Sequence, residues 1–212
     1  MKSICTGSSK SFYTALLPRG FSGKVMNLIV SSWSDFNIPA SITTENQITA
    51  LFRNKMLNDD DRRNVSFITL EDPIVDEKGN QVGRNDLRFY PMFDDKQRKF
   101  FVAECKCLHT KNGPLISEYV KEGMMRFIDG RYSDGLNCGC MIGYVIDGNT
   151  EKAFISLKKK ISEDKITLKM KQDLACPSRT VSHYKFSADT AHLREKKYFD
   201  IHHTLLAANF KS

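Results

Sequence analysis

The segment Phe100-Phe101-Val102-Ala103-Glu104-Cys105-Lys106-Cys107-Leu108 sets a glutamate and a lysine two residues apart in an otherwise apolar run. In a strand the side chains alternate faces, so Glu104 and Lys106 project together while Ala103, Cys105 and Cys107 project to the other side. Burying such charges unpaired costs several kcal/mol, so the two must face a cleft, pair with each other, or bind something. Asp86 lies 18 residues upstream on a predicted neighbouring strand, which can bring its carboxylate beside Glu104. Adjacent carboxylates repel, and a divalent cation relieves the repulsion. An oxygen-only site with few protein ligands suits Mg2+ or Mn2+, which keep waters and recruit phosphate oxygens. A lysine beside such an ion can position and help deprotonate an attacking water, or offset charge developing on a phosphorane. The same spacing also fits a solvated cross-strand ion pair, with Asp86 an ordinary turn residue.

The elements that must position these side chains are legible in part. Thr44 and Gln47 form a capping box for a helix whose Ile48, Leu51, Phe52 and Met56 share one face. Strands are predicted at 65–70 and 83–90, with a hairpin turn at 77–80, and a buried strand at 100–108 after a charged turn at 94–99. A helix is expected over 116–131 with Tyr119, Val120, Met124, Phe127 and Ile128 inward, then a buried strand at 139–146 and a lysine-bearing helix at 151–162 capped by Asn149 or Thr150. Extended segments are expected at 166–170, 178–186 and 199–208. Residues 1–40, with apolar runs at 12–17 and 25–33 broken by Pro18, Gly20 and Gly23, give no firm element. The pattern is a mixed α/β domain with a central sheet.

Asn85-Asp86, followed by Glu104-Cys105-Lys106 on a buried strand, resembles the PD-(D/E)XK nuclease superfamily, the restriction-endonuclease-like fold. The likeness runs from about Thr44 to Asp147, with Asn85 standing where the nominal motif has proline. It implies one domain over 1–212, with a central mixed sheet flanked by helices: an N-terminal extension at 1–40, a core at 44–147 and a basic part at 148–212. It further implies metal-dependent hydrolysis of phosphodiester bonds, with Asp86, Glu104 and Lys106 catalytic. Asp86, Glu104 and the Cys105 carbonyl would be ligands of Mg2+ or Mn2+, and Glu45 is a further acidic candidate on the first core helix. The helix after the motif would help to hold substrate through Lys121, Arg126 and Arg131. The stretch 119–132 with Gly143-Tyr144-Val145 is similar to bacterial defence-associated nucleases, which suggests a role in phage defence.

Composition bounds these expectations. At 212 residues, with 41% hydrophobic and 27% charged residues, the chain fits one globular domain and excludes a disordered, collagen-like or membrane-bundle class. No apolar run spans a bilayer and Met1 to Gly7 lacks a signal-like core, so a cytoplasmic protein with reduced cysteines is expected. The net charge is +7, and 13 Lys and Arg against 7 Asp and Glu in residues 151–212 place nearly all of it there. That asymmetry favours a polyanionic partner, with DNA preferred. Lys158, Lys159, Lys160, His183 and the 194–197 run are candidate phosphate contacts, although a lysine run also serves as a solvated face. A homodimer would allow both strands to be cut, and the small size suggests a helicase or sensor subunit that delivers substrate; both stay open. Three other readings stay open. Cys105 and Cys107 with Cys138 and Cys140 can hold zinc or simply fill the core. The late histidines can serve a Cys-His hydrolase, though no nucleophile motif accompanies them. A nuclease-like fold can bind nucleic acid or scaffold a partner without cutting.

Overall fold

The computed structural model describes residues 17–75, 79, 81–92, 99–111, 113–133 and 136–211. Apart from Gly79 and Lys99, the turns expected at 77–80 and 94–99 lie outside these residues, as does the apolar run at 12–16.

Helix α1 (Phe21–Trp33) occupies the stretch that the sequence left unassigned. Its Phe21, Val25, Leu28, Ile29 and Trp33 recur at helical spacing and are buried, but Ser22, Gly23, Ser31 and Ser32 dilute the signal with weak helix formers. Burial against the sheet outweighs that preference. The Trp33 ring stacks on Tyr144 with centroids 5.3 Å apart and meets Phe36 and Phe52 at 5.0 and 4.8 Å, and its Nε1 donates to the Ala207 carbonyl at 2.8 Å. After the two-residue β1 (Ile38–Pro39), helix α2 (Glu45–Leu57) begins with the expected capping box and buries Ile48, Phe52 and Met56.

Six strands form one mixed sheet: β2 (Val65–Val75), β3 (Gln81–Pro91), β4 (Phe101–Leu108), β5 (Cys138–Val145), β6 (Ser187–Arg194) and β7 (Lys197–Ala207), in the order β2-β3-β4-β5-β7-β6. β4, β5 and β7 run parallel at the centre and the remaining pairs are antiparallel. A parallel core is covered on both faces, and all eight residues of β5 are buried. One face packs under α1 and α2. The other packs under α3 (Gly113–Glu118), the π-helical turn Tyr119–Met124, α4 (Met125–Ile128) and α5 (Thr150–Glu163), with Tyr119, Val120, Met124, Phe127 and Ile128 buried as expected. A short β8 (Phe210–Lys211) pairs with β1.

The last third departs from expectation. Residues 178–186 form turns, and the strand is instead β6, immediately downstream. Ser187-Ala188-Asp189-Thr190-Ala191-His192 reads as polar because its Asp, Thr and His are buried in hydrogen bonds instead of exposed. Residues 166–170 are also not a strand, although the following segment protects the β6 edge: Leu193 N–H donates to the Lys169 carbonyl, Lys171 N–H to Ala191, and Ala175 and Asp189 exchange both bonds. An open edge would invite pairing with other chains.

One irregularity creates the site. β2 and β3 stay paired from Val65↔Pro91 to Val75↔Gln81, but β3 pairs with β4 only at Leu87↔Ala103, Arg88↔Val102 and Phe89↔Phe101. From Asp86 back toward Gln81 the β2–β3 ribbon leaves the sheet, and among the described residues the outer edge of β4 beyond Ala103 has no strand beside it.

Candidate active site

A strand edge abandoned inside a protein leaves N–H and C=O groups that must find other partners. On β4 those partners are carboxylates. Asp86 Oδ2 accepts from the Cys105 N–H at 2.7 Å, and Glu45 Oε2 accepts from the Cys107 N–H at 2.7 Å. Glu45 is the first residue of α2, where an acid also suits the positive end of the helix dipole. The Lys106 ammonium closes the edge by donating to the Cys105 carbonyl at 2.8 Å and to Glu45 Oε1 at 3.0 Å. The carbonyl expected to meet a metal is therefore held by a lysine.

Glu104 sits beneath this arrangement, with no exposed surface. Its Oε1 lies 3.0 Å from Lys106 Nζ and accepts from Arg126 Nη1 at 2.6 Å, while its Oε2 is buried without any hydrogen-bond partner. Burial first, and the nearby Asp86 charge second, push the Glu104 carboxyl up to about 8 against the pull of Lys106 and Arg126. Burial works against the Lys106 ammonium, but the Glu104, Glu45 and Asp86 carboxylates outweigh it and raise its pKa. Lys106 thus stays charged.

Arg126 comes from α4, just past the π-helical turn, a geometry that recurs at functional sites. Gly123 in that turn lets it approach the sheet: a Cβ there would stand 2.3 Å from Met141 Cε and 3.8 Å from Lys106 Cγ. Arg126 Nη1 also donates to the Tyr132 hydroxyl at 2.8 Å, and that hydroxyl donates to the Arg84 carbonyl on the ribbon. Tyr132 so ties the two walls of a cleft of about 650 Å3, lined among others by Glu45, Arg84, Asp86, Lys106, Arg126 and Arg131.

The sequence-level candidates divide cleanly. Glu45, Asp86, Lys106, Arg126 and Arg131 line the cleft, and Glu104 lies beneath it. Lys121 is exposed outside it. Lys158, Lys159 and Lys160 lie on α5, where Lys158 covers Phe154 and the other two pair with Glu163 and Asp164. His183 is exposed on a turn. Arg84 and Tyr132 were missed. Arg84 shares a strand face with Asp86 two residues on, a detectable spacing, whereas nothing local marks Tyr132.

The alternative chemistries fare differently. All four cysteines of the two pairs lie on the α1–α2 face of the sheet, but Cys140 sits opposite Ala103, and Cys105 and Cys107 sit opposite Ile142 and Tyr144, so the pairs are staggered. Burial pushes each of these thiols up, to about 12 for Cys107 and Cys138 and well above the ordinary thiol range for Cys105 and Cys140. They behave as core residues. Cys140 neighbours His202 across β5 and β7, but His202 Nδ1 bonds Asp189 Oδ1 at 2.9 Å.

Among the described residues no three His, Cys, Asp or Glu side chains form a group ready to hold a metal ion. The acids of the cleft are engaged with backbone amides, lysine and arginine, and among the described residues the buried carboxylate oxygen without a hydrogen-bond partner is Glu104 Oε2. That buried orphan, the Asp86 carboxylate and the Cys105 carbonyl are the oxygen donors near this edge, the carbonyl being held by Lys106, and oxygen donors are the kind that Mg2+ or Mn2+ takes. Among the described residues, no helix is long and apolar enough to cross a membrane. Comparison with family models, with curated proteins and with solved structures gave no match.

Proposed function

We propose that this chain is a divalent-metal-dependent nuclease that hydrolyses phosphodiester bonds, DNA favoured, on a restriction-endonuclease-like core. The order of α2, β2, β3, β4, the α3–α4 segment and β5 supports that core, with Asp86 where the second strand departs and Glu104 and Lys106 on the third. The observation that carries the reading is Glu104 Oε2, a carboxylate oxygen buried with no partner. Such an atom costs stability when ionised; burial holds the group at about 8, so near neutral pH a proton offsets most of that cost, and a metal cation that displaces the proton would take its place. Glu104, Asp86 and the Cys105 carbonyl would hold the ion, which when bound would polarise the phosphoryl group and acidify a bound water.

The residues of the chain divide the rest of the work. Arg84 and Arg131 hold the phosphate backbone in the cleft, by charge and without reading bases. Lys106, kept cationic by its carboxylate neighbours and with its three N–H groups held by Glu45, Glu104 and the Cys105 carbonyl, stabilises negative charge developing on the phosphorane through its charge. Its raised pKa suits this electrostatic role better than that of proton acceptor. Glu45 fixes the ammonium from the other side. A helicase, sensor or second copy that delivers substrate, and a place in phage defence, are compatible with so compact a cleft.

A second reading has its own support: the acids already have protein partners, so the cleft can bind phosphate as a cationic surface without cutting. Cleavage of linear, nicked, supercoiled and single-stranded DNA and of RNA, with Mg2+, Mn2+ or EDTA, separates the two. Metal-dependent cutting that falls by about 100-fold or more in Lys106→Ala is the expected result. Salt-sensitive binding with no cutting under any condition would favour the second reading.

A further inference from the structure

We propose that Arg126 is a stopper over Glu104, which keeps divalent cations out of the free protein and is drawn away by substrate phosphate, so that cation and nucleic acid bind cooperatively. This rests on the nuclease reading and specifies how its site is controlled.

Glu104 has no exposed surface, and the groups between it and the cleft are Lys106 and Arg126. The two are anchored unequally. Lys106 has Glu45 Oε1 and the Cys105 carbonyl in addition to Glu104, so it is fixed in the β4 edge. Arg126 uses a single nitrogen, Nη1, for both of its bonds, to Glu104 and to the Tyr132 hydroxyl. Among the described residues, its other guanidinium nitrogens make no hydrogen bond, and its side chain lines the cleft. A guanidinium with donors to spare is the group best suited to take a phosphate in two parallel bonds.

The competition is electrostatic. A divalent cation approaching Glu104 Oε2 meets two fixed positive charges already gathered at Glu104 Oε1, and like charges at such range oppose binding strongly in a site closed to water. A phosphodiester entering between Arg84 and Arg131 offers Arg126 a second anion. Once Arg126 turns to it, Glu104 loses one cation and gains an open approach. Tyr132 sets the pivot, because its hydroxyl holds Nη1 from the wall and lets the guanidinium swing without leaving the cleft. By linkage, the factor by which substrate tightens the cation equals the factor by which the cation tightens substrate.

The test follows free Mn2+ by electron paramagnetic resonance with the full chain. It is run with and without a nuclease-resistant phosphorothioate oligonucleotide, and Mn2+ held by the oligonucleotide alone is subtracted. Wild type is expected to bind Mn2+ weakly by itself and about 10-fold or more tightly with the oligonucleotide. Arg126→Gln is expected to bind Mn2+ tightly by itself, with the oligonucleotide adding less than about 3-fold. If Arg126→Gln leaves both the affinity and the coupling at wild-type values, the stopper is overturned. Glu104→Gln distinguishes the two levels: Mn2+ binding indifferent to it overturns the metal site itself, whereas binding that needs Glu104 but ignores Arg126 overturns only the stopper. Should Arg126→Gln fail to fold, Tyr132→Phe removes the second anchor of Nη1 together with the bond to the Arg84 carbonyl, and is expected to raise Mn2+ affinity about 3-fold, an unchanged affinity counting against the proposal.

Discussion

Two clusters of buried polar groups lie on this sheet, one where β3 leaves β4 and one where β6 meets β7. In the second, Asp189 Oδ1 accepts from Ser178 and His202 and its Oδ2 from the Arg179 N–H, at 2.6, 2.9 and 2.8 Å. Both ring nitrogens of His203 are engaged, by Tyr119 at 3.0 Å and Thr190 at 2.9 Å, and both of His192 by the Leu168 carbonyl and Thr190 at 2.7 Å. The Thr204 hydroxyl is unpaired there, but a neutral hydroxyl is far cheaper to bury than a carboxylate oxygen. At the β3–β4 fork the charges are stronger and Glu104 Oε2 stays unsatisfied. A network whose charged and ionisable groups are closed contributes stability; one left open at a carboxylate is poised to take a ligand.

The contrast is broken most directly by two acid-to-amide changes. Glu104→Gln is expected to reduce metal-dependent cleavage by about 100-fold or more, while unfolding free energy stays within about 1 kcal/mol of wild type, because the lost attraction to Lys106 and Arg126 is offset by burying no charge. Asp189→Ala should do the reverse. It strands Ser178, His202 and the Arg179 N–H, so urea denaturation should show a loss of about 3 kcal/mol while the folded enzyme keeps its activity. Equal stability losses in the two variants would erase the distinction between the clusters.

A pH series sharpens the same comparison at intermediate size. Burial first, then His192 and His202, depress His203 to about 3, and burial depresses His192 to about 4, while Asp189 and the Leu168 carbonyl act weakly the other way. Below the ordinary histidine value of 6.5 the unfolded chain takes up protons that the folded chain refuses. Stability is therefore complete above about 6.5 and falls as the pH drops toward the folded values, by about 1.4 kcal/mol per pH unit for each histidine. Glu104, held at about 8 in the folded chain, carries over the same range a proton that the unfolded chain lacks, and so offsets about one histidine. Denaturation midpoints from pH 7.5 to 5 should therefore decline modestly, and His203→Asn should flatten the decline. A wild-type profile level to pH 5 would show these rings to be more accessible than their burial implies.

What was legible in the sequence follows the same physical line. Period-two and period-3.6 patterns revealed α2, β4, the inward face of the α3–α4 segment, β5 and α5, because each buries apolar residues on one side. β6 escaped because its buried side chains are polar and satisfied only by partners far along the chain, such as Ser178 and Leu168. Glu104 and Lys106 stood out because charges in an apolar strand need a reason, and Asp86 followed as an acid on the neighbouring strand. Tyr132 could not stand out, since its role depends on the ribbon folding back to place the Arg84 carbonyl within reach. The basic C-terminal third suggested phosphate contacts, yet the cations that line the cleft, Arg84, Lys106, Arg126 and Arg131, precede it.

The smallest effect tests how the two faces of the fork are joined. Gly123 permits the π-helical turn to rest on Met141 and on the aliphatic stem of Lys106, and Gly123→Ala would place a methyl group 2.3 Å from Met141 Cε. Because that atom ends a flexible side chain, Met141 can yield, and the cost in stability should be about 1 kcal/mol, as for modest overpacking. The turn must still move outward, carrying Arg126 with it and loosening the Lys106 stem. Activity should then fall by more than stability does, about 10-fold at saturating substrate, since a displacement of the order of 1 Å at a positioning group is costly. Loss of stability with full activity would mean that Met141 absorbs the methyl group alone, and that the π-helical turn positions neither Lys106 nor Arg126.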